Sequence, residues 1–423
     1  MRTDLSLPRG IRDIEPEDYA IQSRIQRAFE EVAGLYNFQM MEPAPIEHVS
    51  ILGAKSGADV EREIYAFKDK GGRDVGLRFD LTVGMTRYAC SRRDLKPPVK
   101  LAALAGVWRY DEPQHARYRW FRQWDLEIFG PRSVGADAEV IEATSRLFEK
   151  LGLKGFKVSV GDRRVVEEFI TRNLGVATQR APELMRALDK AQKRSLPELK
   201  SEYTKKGFES KQIESLFELG RTSGPPAKVI SKLEELKLDV SSLAELKDSL
   251  SHRGVSNFEF NLGVVRGIDY YTGIVFEVYD GDHPDLGSLA GGGRYDLLPK
   301  TFGRDDLSAT GAAGGMERIA LSLAGKGGPK RSLVYVAFAG PSAWKHALGI
   351  QRQLREEGIQ TDASFQERPL SKQLEDASRM GASWAVIIGE KEISARKVTL
   401  RDMSSRGEEA LTLASAVKRI LGS

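Results

Sequence analysis

A single cysteine, Cys90, in 423 residues excludes an intrachain disulfide and any cysteine-based zinc cluster, and it fits a reducing compartment. The five histidines stand at no mutual ligand spacing, so no metal site is expected. No apolar run approaches the ~20 residues that span a bilayer, and the N-terminus lacks an apolar signal core; the expectation is a cytoplasmic chain with no membrane partner. No GxxxxGK[ST] and no GxGxxG follows an expected strand, which leaves no sign of a P-loop or a dinucleotide fold. An excess of one charge is missing too. With 64 basic and 60 acidic residues the net charge is +4, so any nucleic-acid surface has to be local.

What is present is a hairpin. Residues 107–130, VWRYDEPQHARYRWFRQWDLEIFG, read as two strands, Val107–Tyr110 and Trp120–Phe129, around a polar loop with Pro113. Along the second strand Trp120, Trp124, Leu126 and Ile128 alternate with Gln123, Asp125 and Glu127. Tryptophans mark an interior strand, and interior strands hold Gln, Asp and Glu when those groups have partners or ligands. A charged surface hairpin is the plainer alternative.

Around it the chain, too long for one core, divides into two or three domains. Apolar residues at helical spacing predict a helix over 17–36, followed by a strand from Phe38 that ends in prolines. Residues 77–83 alternate Leu77, Phe79, Leu81 and Val83 with Arg78, Asp80 and Thr82, which predicts a half-buried strand. A helix over 135–152 and a short strand at 158–160 follow. From 163 to 250 the texture is helical and rich in Lys, Glu and Leu, read as an insertion. Its stretch 190–211 has seven basic residues against three acidic; a solvated surface is the ordinary reading, RNA contact the alternative. Strand character returns at 258–262, 264–279 and 289–298. There the glycines 291–293, beside Arg294 and Tyr295, are expected to make room for a small molecule. Residues 310–324 look like small residues running into a helix with Glu317 and Arg318 in its early turns. After a linker at 323–332, segments with helices at 342–357, 369–380 and 409–421 alternate as a small α/β domain with a charge of +3.

The polar faces together supply Arg109, Arg117, Arg266 and Arg318 beside Asp80, Thr82, Gln123, Asp125, Glu127 and tyrosines. Several fixed guanidiniums suit a polyphosphate, and carboxylates with Gln and Thr suit an ammonium. A nucleoside triphosphate beside an amino acid is the simplest ligand pair for that set.

The hairpin pattern Arg109…Arg117…Phe121-x-Gln123 resembles motif 2 of class II aminoacyl-tRNA synthetases. Gly314-Gly-Met-Glu-Arg318 resembles motif 3, and the segment ending at Pro45 resembles the dimer-forming motif 1. Arg266-Gly-Ile-Asp-Tyr-Tyr-Thr-Gly273 and Gly291-Gly-Gly-Arg-Tyr-Asp296 resemble the two signature peptides of the histidyl-tRNA synthetase family, and the resemblance covers essentially the whole chain. It implies an α+β class II catalytic core over 1–325, an antiparallel sheet flanked by helices. The helical insertion then spans 163–250, and a C-terminal α/β anticodon-binding domain spans 331–423.

The same resemblance implies that L-histidine, ATP with Mg2+, and tRNA(His) are the ligands of a cytoplasmic homodimer. Asp80, Leu81, Thr82 and Gln123 would line the amino-acid end, with Asp80, Thr82 and Gln123 on its ammonium. Glu127, Tyr270, Tyr271 and Tyr295 would read the imidazole. Arg109 would bridge the α-phosphate and the substrate carboxylate, Arg117 and Arg318 would hold the outer phosphates and bracket the adenine, and Asp111 would meet the adenine amino group. Arg266 would stabilise charge during attack on the α-phosphorus, and Gln114 would meet the tRNA acceptor end. Asp80 stands where many bacterial members carry Glu, one methylene longer. The alternatives are a synthetase-like regulatory subunit of histidine biosynthesis, against which the C-terminal domain and the intact arginine-bearing signature argue, and a non-catalytic tRNA sensor, against which the intact Arg109, Arg266 and Arg318 argue.

Overall fold

The computed structural model describes residues 5–54, 62–112, 118–191, 194–266, 271–324 and 333–422. Two compact units emerge, Met1–Lys326 and Gly327–Ser423.

The strands of the first unit are β1 (Gln39–Met40), β2 (Ile46–His48), β3 (Ala66–Lys68), β4 (Asp74–Leu77), β5 (Val99–Trp108) and β6 (Trp120–Gly130). They continue with β7 (Phe156–Asp162), β8 (Ser223–Gly224), β9 (Phe258–Asn261), β10 (Ile274–Asp280), β11 (Ser288–Arg294) and β12 (Ser308–Gly315). Among the described residues nine of them form one sheet in the order β1-β5-β6-β12-β11-β10-β7-β9-β8, while β2, β4 and β3 form a second. The five central strands, β5 to β10, pair antiparallel throughout, so alternate residues of each point to opposite faces.

Each face has its own core. On the back, Trp124, Leu126 and Ile128 of β6 meet the helices Pro16–Leu35 and Val134–Lys150. The first of these helices begins with proline and two acids and buries Ile25, Phe29 and Val32; Phe29 lies 5.6 Å from the Trp124 ring. The helical segments between 163 and 252 extend this same core. On the front, Leu101, Ala103 and Ala105 of β5 pack with Phe79, Leu81 and Tyr295 and with the helix Thr82–Ser91.

Several expectations are overturned in this unit, among them the strand expected over 264–279, whose described part begins only at Ile274, and that expected over 289–298, which ends at Arg294. The strand expected at 77–83 ends at Leu77, and a helix starts at Thr82 because the Asp80 carboxylate accepts from Val83 N at 3.1 Å. Arg78 turns inward and donates to the carbonyls of Gly106 (2.8 Å) and Pro43 and to Glu42 (2.9 Å), clamping strands together. Residues 308–315, expected to lead straight into a helix, form β12, wedged between β6 and β11; the helix is only Met316–Ser322. Its small residues are a packing requirement. A β-carbon on Gly314 would meet the Trp124 indole nitrogen at 2.7 Å.

The second unit has strands β13 (Val334–Phe338), β14 (Thr361–Ala363), β15 (Trp384–Ile388), β16 (Val398–Asp402) and β17 (Glu408–Leu411), ordered β14-β13-β15-β16-β17. Pairing is parallel at β13 and antiparallel from β15 to β17. The helix expected at 409–421 is corrected to an edge strand followed by Leu413–Leu421, which Thr412 caps by accepting from Ser415 N at 3.2 Å.

Candidate active site

The front face of the first unit's sheet holds a cavity of about 440 Å³, within the ~300–1,000 Å³ range of small-ligand sites. Ten residues singled out from the sequence line it: Asp80, Thr82, Arg109, Asp111, Gln123, Glu127, Arg266, Tyr271, Tyr295 and Arg318. Leu81 is fully buried in the front core and does not line it. Gln114, Arg117 and Tyr270 lie outside the described residues.

The first wall is β6 and the start of the helix at Thr82. Gln123, Asp125 and Glu127 alternate on the front face, all buried. Gln123 Nε2 donates to Asp125 Oδ1 at 2.8 Å, and Thr82 Oγ1 donates to Asp125 Oδ2 at 2.9 Å. Burial pushes the Asp125 carboxyl up to about 7, and burial with the neighbouring Asp125 charge raises Glu127 well above the carboxylate range. Glu127 accepts the hydroxyl of Tyr295, whose ring is wholly inside the front core. Arg109 leaves the end of β5 and is braced twice, to Phe79 O at 2.9 Å and Gln123 Oε1 at 3.2 Å, with its guanidinium 5.1 Å from the Phe121 ring.

The opposite wall comes from the loop before β10 and from β11. Arg266 adopts φ 48°, held there by Arg163, whose Nη1 donates to the carbonyls of Val265 (2.6 Å) and Arg266 (2.9 Å). Its own guanidinium reaches Glu277 at 3.2 Å and lies 5.7 Å from the Tyr271 ring. Glu277 also accepts the Tyr279 hydroxyl.

The glycine triplet serves this wall. A β-carbon on Gly291 would stand 1.8 Å from Arg266 Nη1, one on Gly292 2.0 Å from the Gly311 carbonyl, and Gly293 has φ 147°. The room expected for a small molecule is therefore first of all room for the arginine and for close strand approach. Arg294, next in that peptide, points away and is a structural group, bound to Asp137 at 2.8 Å and to the carbonyls of Pro131 and Ser133.

Between the walls run β12 and the helix Met316–Ser322. Arg318 donates to Ser288 O at 3.0 Å. Glu317 accepts from Arg122 N at 3.2 Å and Gln22 Nε2 at 3.4 Å, and burial raises its pKa. The cavity thus brings three arginines, Arg109, Arg266 and Arg318, together with a buried carboxylate–tyrosine pair and further acceptor groups. That set suits an anionic chain joined to a small cationic or hydrogen-bonding head.

A family model described as histidyl-tRNA synthetase matches residues 10–319, and one described as anticodon binding domain matches residues 333–422. The chain belongs to the histidyl-tRNA synthetase family. Histidine–tRNA ligases of Thermococcus kodakarensis and Pyrococcus horikoshii are 37% and 36% identical to it, the alignments covering 98% and 97% of this chain and 97% of each relative. A solved histidyl-tRNA synthetase from Nostoc superposes with a TM-score of 0.87 at 25% identity over 100% of both chains. The fold alone is shared with a Bacillus halodurans protein described as an ATP phosphoribosyltransferase regulatory subunit/histidyl-tRNA synthetase (TM-score 0.75, 24% identity, 92% of this chain and 99% of that one).

Around this cavity, sequence reasoning missed Glu277 and β12. Glu277 sits in the alternating run Ile274–Asp280, where an isolated acid looks like an ordinary outward strand residue. The signal that could have found it is its place opposite Gly291, the glycine that admits Arg266.

Proposed function

We propose that this chain is a histidine–tRNA ligase. It condenses L-histidine with ATP to histidyl-adenylate and pyrophosphate, then transfers histidine to the 3′ end of tRNA(His). The observation that supports this best is one cavity in which Glu127 and Tyr295 are hydrogen-bonded at the floor while Arg109, Arg266 and Arg318 face the same space. Imidazole needs a partner for each ring nitrogen, and a carboxylate with tyrosine hydroxyls from Tyr295, Tyr271 and Tyr270 supplies them. An analogue lacking the nitrogens leaves those buried groups unpaired, which can discriminate on the order of 10⁴-fold.

In this reading Asp80, Thr82 and Gln123 hold the α-ammonium, with Leu81 supporting them from the core. Arg109 bridges the substrate carboxylate and the α-phosphate. ATP enters as its magnesium complex; Arg318 and Arg117 hold the outer phosphates and Asp111 meets the adenine. Arg266 faces the charge that develops as the carboxylate oxygen attacks the α-phosphorus, where preorganised cations act without reorganising. Gln114 meets the acceptor end of the tRNA, and the second unit takes its anticodon. A homodimer working in the cytoplasm completes the proposal; among the described residues no helix is long and apolar enough to cross a membrane.

The test is ATP–pyrophosphate exchange with each of the twenty amino acids. Exchange with histidine alone is expected; exchange with none would favour a tRNA sensor that has lost catalysis.

A further inference from the structure

Asp125 is the one charged group on the front face of β6 with no task in the reading above. It is wholly buried and does not line the cavity. Both of its oxygens are spent on neighbours that do, Oδ1 on Gln123 and Oδ2 on Thr82. Once a bound ammonium has driven off its proton, the Asp125 carboxylate only accepts, so both neighbours must donate to it. The Gln123 amide therefore turns its NH2 inward and its Oε1 outward, where Oε1 already accepts from Arg109 and keeps a second lone pair. Thr82 has one hydroxyl proton, and it is used on the interior side, where Glu127 also faces it. Toward the cavity Thr82 can then only accept. Asp80 beside them is a third acceptor on the same wall.

We propose that Asp125 is a positioning residue that sets the hydrogen-bonding polarity of the α-ammonium pocket, forcing Gln123 and Thr82 to face the ligand as acceptors. This rests on the assignment of Asp80, Thr82 and Gln123 to the ammonium. Three acceptors match the three N–H groups of an ammonium; a hydroxyl in its place would leave two of them unpaired, and a second carboxylate would be repelled. Asparagine would fill the same volume without burying a charge. It cannot do the same work, because its amide offers one acceptor and one donor. One of the two neighbours would have to reverse: Gln123 would turn an N–H toward the ammonium, or Thr82 would accept from the asparagine and turn its one proton to Glu127 or to the ammonium.

The inference makes a rank order that packing does not. Asp125→Asn keeps the shape and imposes the wrong polarity; Asp125→Ala loses the packing but frees Gln123 and Thr82 to turn as the ligand requires. In pyrophosphate exchange, Asp125→Asn is expected to raise the KM for histidine about 30-fold, the scale of a lost hydrogen bond to a charged group. Asp125→Ala should raise it by less, while its thermal unfolding midpoint falls further. The competitive Ki of imidazolepropionate, which is histidine without its amino group, should move less than about threefold in both, as should the KM for ATP.

A purely structural role gives the reverse order, with alanine worse in every readout, and that result overturns the inference. So does a parallel rise of the imidazolepropionate Ki. If Asp125→Asn does not fold, the alanine variant decides: its histidine KM must rise without its imidazolepropionate Ki. Thr82→Val separates the two layers. If it raises the histidine KM while neither Asp125 variant does, the ammonium pocket stands and the role of Asp125 falls. If Thr82→Val and both Asp125 variants leave that KM unchanged, the pocket assignment itself is wrong.

Discussion

The Glu127 carboxylate lies across the α-carbon of Gly311, so close that a β-carbon there would stand 1.6 Å from its Oε2. The two residues are direct partners across β6 and β12. Glycine is needed at 311 because the Glu127 side chain of the neighbouring strand occupies the space where its own would be. Gly311→Ala should thus expel Glu127 from its contact with Tyr295. The KM for histidine is expected to rise by about 100-fold, ~2.7 kcal/mol, while ATP binding holds. Exchange kinetics against Glu127→Gln check this, since both variants should fail in the same substrate. An alanine variant with a normal histidine KM would mean that Glu127 does not read the ligand from this position.

Arg266 and Gly291 stand in the same relation on the opposite wall. A β-carbon at 291 would meet Arg266 Nη1 at 1.8 Å. Arg266→Ala and Gly291→Ala are therefore expected to share a phenotype: single-turnover adenylate formation slower by about 10²–10³, the scale for one lost preorganised donor, with histidine affinity nearly intact. Rapid-quench measurement of the first turnover tells the cases apart. If Gly291→Ala forms adenylate at the normal rate, Arg266 does its work from another position.

These two pairs also mark where the sequence stops being legible. Period-two alternation in 120–129 is a local property, and it reveals both the strand and the face that carries Gln123 and Glu127. The strand β12 has no such signature. Its Gly and Ala residues have low strand propensity, and they form a strand only because β6 and β11 flank them and their side chains override it. Residues 77–83 mislead for the opposite reason. They alternate well, yet the Asp80 side chain caps a helix at Val83, and capping by one carboxylate outweighs a short pattern. Arg294 and Tyr295 are neighbours in one peptide, and only tertiary contacts send the tyrosine into the cavity wall and the arginine away from it.

Arg294 should matter for stability and not for chemistry. It is buried beside Asp137, whose carboxyl burial raises to about 6 even with that guanidinium in contact. Arg294→Met would leave Asp137 inside the protein with its main partner gone. The expected loss is about 3–5 kcal/mol in urea unfolding, the usual outcome of breaking one side of a buried pair. Adding Asp137→Leu should recover much of it, because the stranded carboxylate goes too. A single variant as stable as the parent would show that the pair is solvated in solution.

Burial brings Asp125 from 3.8 to about 7 and raises Glu127, and the charged groups facing them are Asp80, which raises both, and Arg109, which lowers Asp125. The unfolded carboxyl loses its proton near pH 4, whereas the folded one keeps it up to about 7. Asp125 therefore stabilises the free enzyme fully only below about pH 4, and that contribution is lost as pH rises through 7. Histidine binding works the other way. Its ammonium, sitting among Asp80, Thr82 and Gln123, favours the ionised carboxyls, so binding should release a proton and tighten from about pH 7 to pH 8, where free imidazole is already mostly neutral. Calorimetry in two buffers of different ionisation enthalpy reads the proton count directly, and Asp125→Asn should remove most of it. If wild-type binding takes up protons over that range, or if its affinity does not change with pH, the front-face carboxyls are already ionised in the free enzyme and the pocket is preformed for a cation.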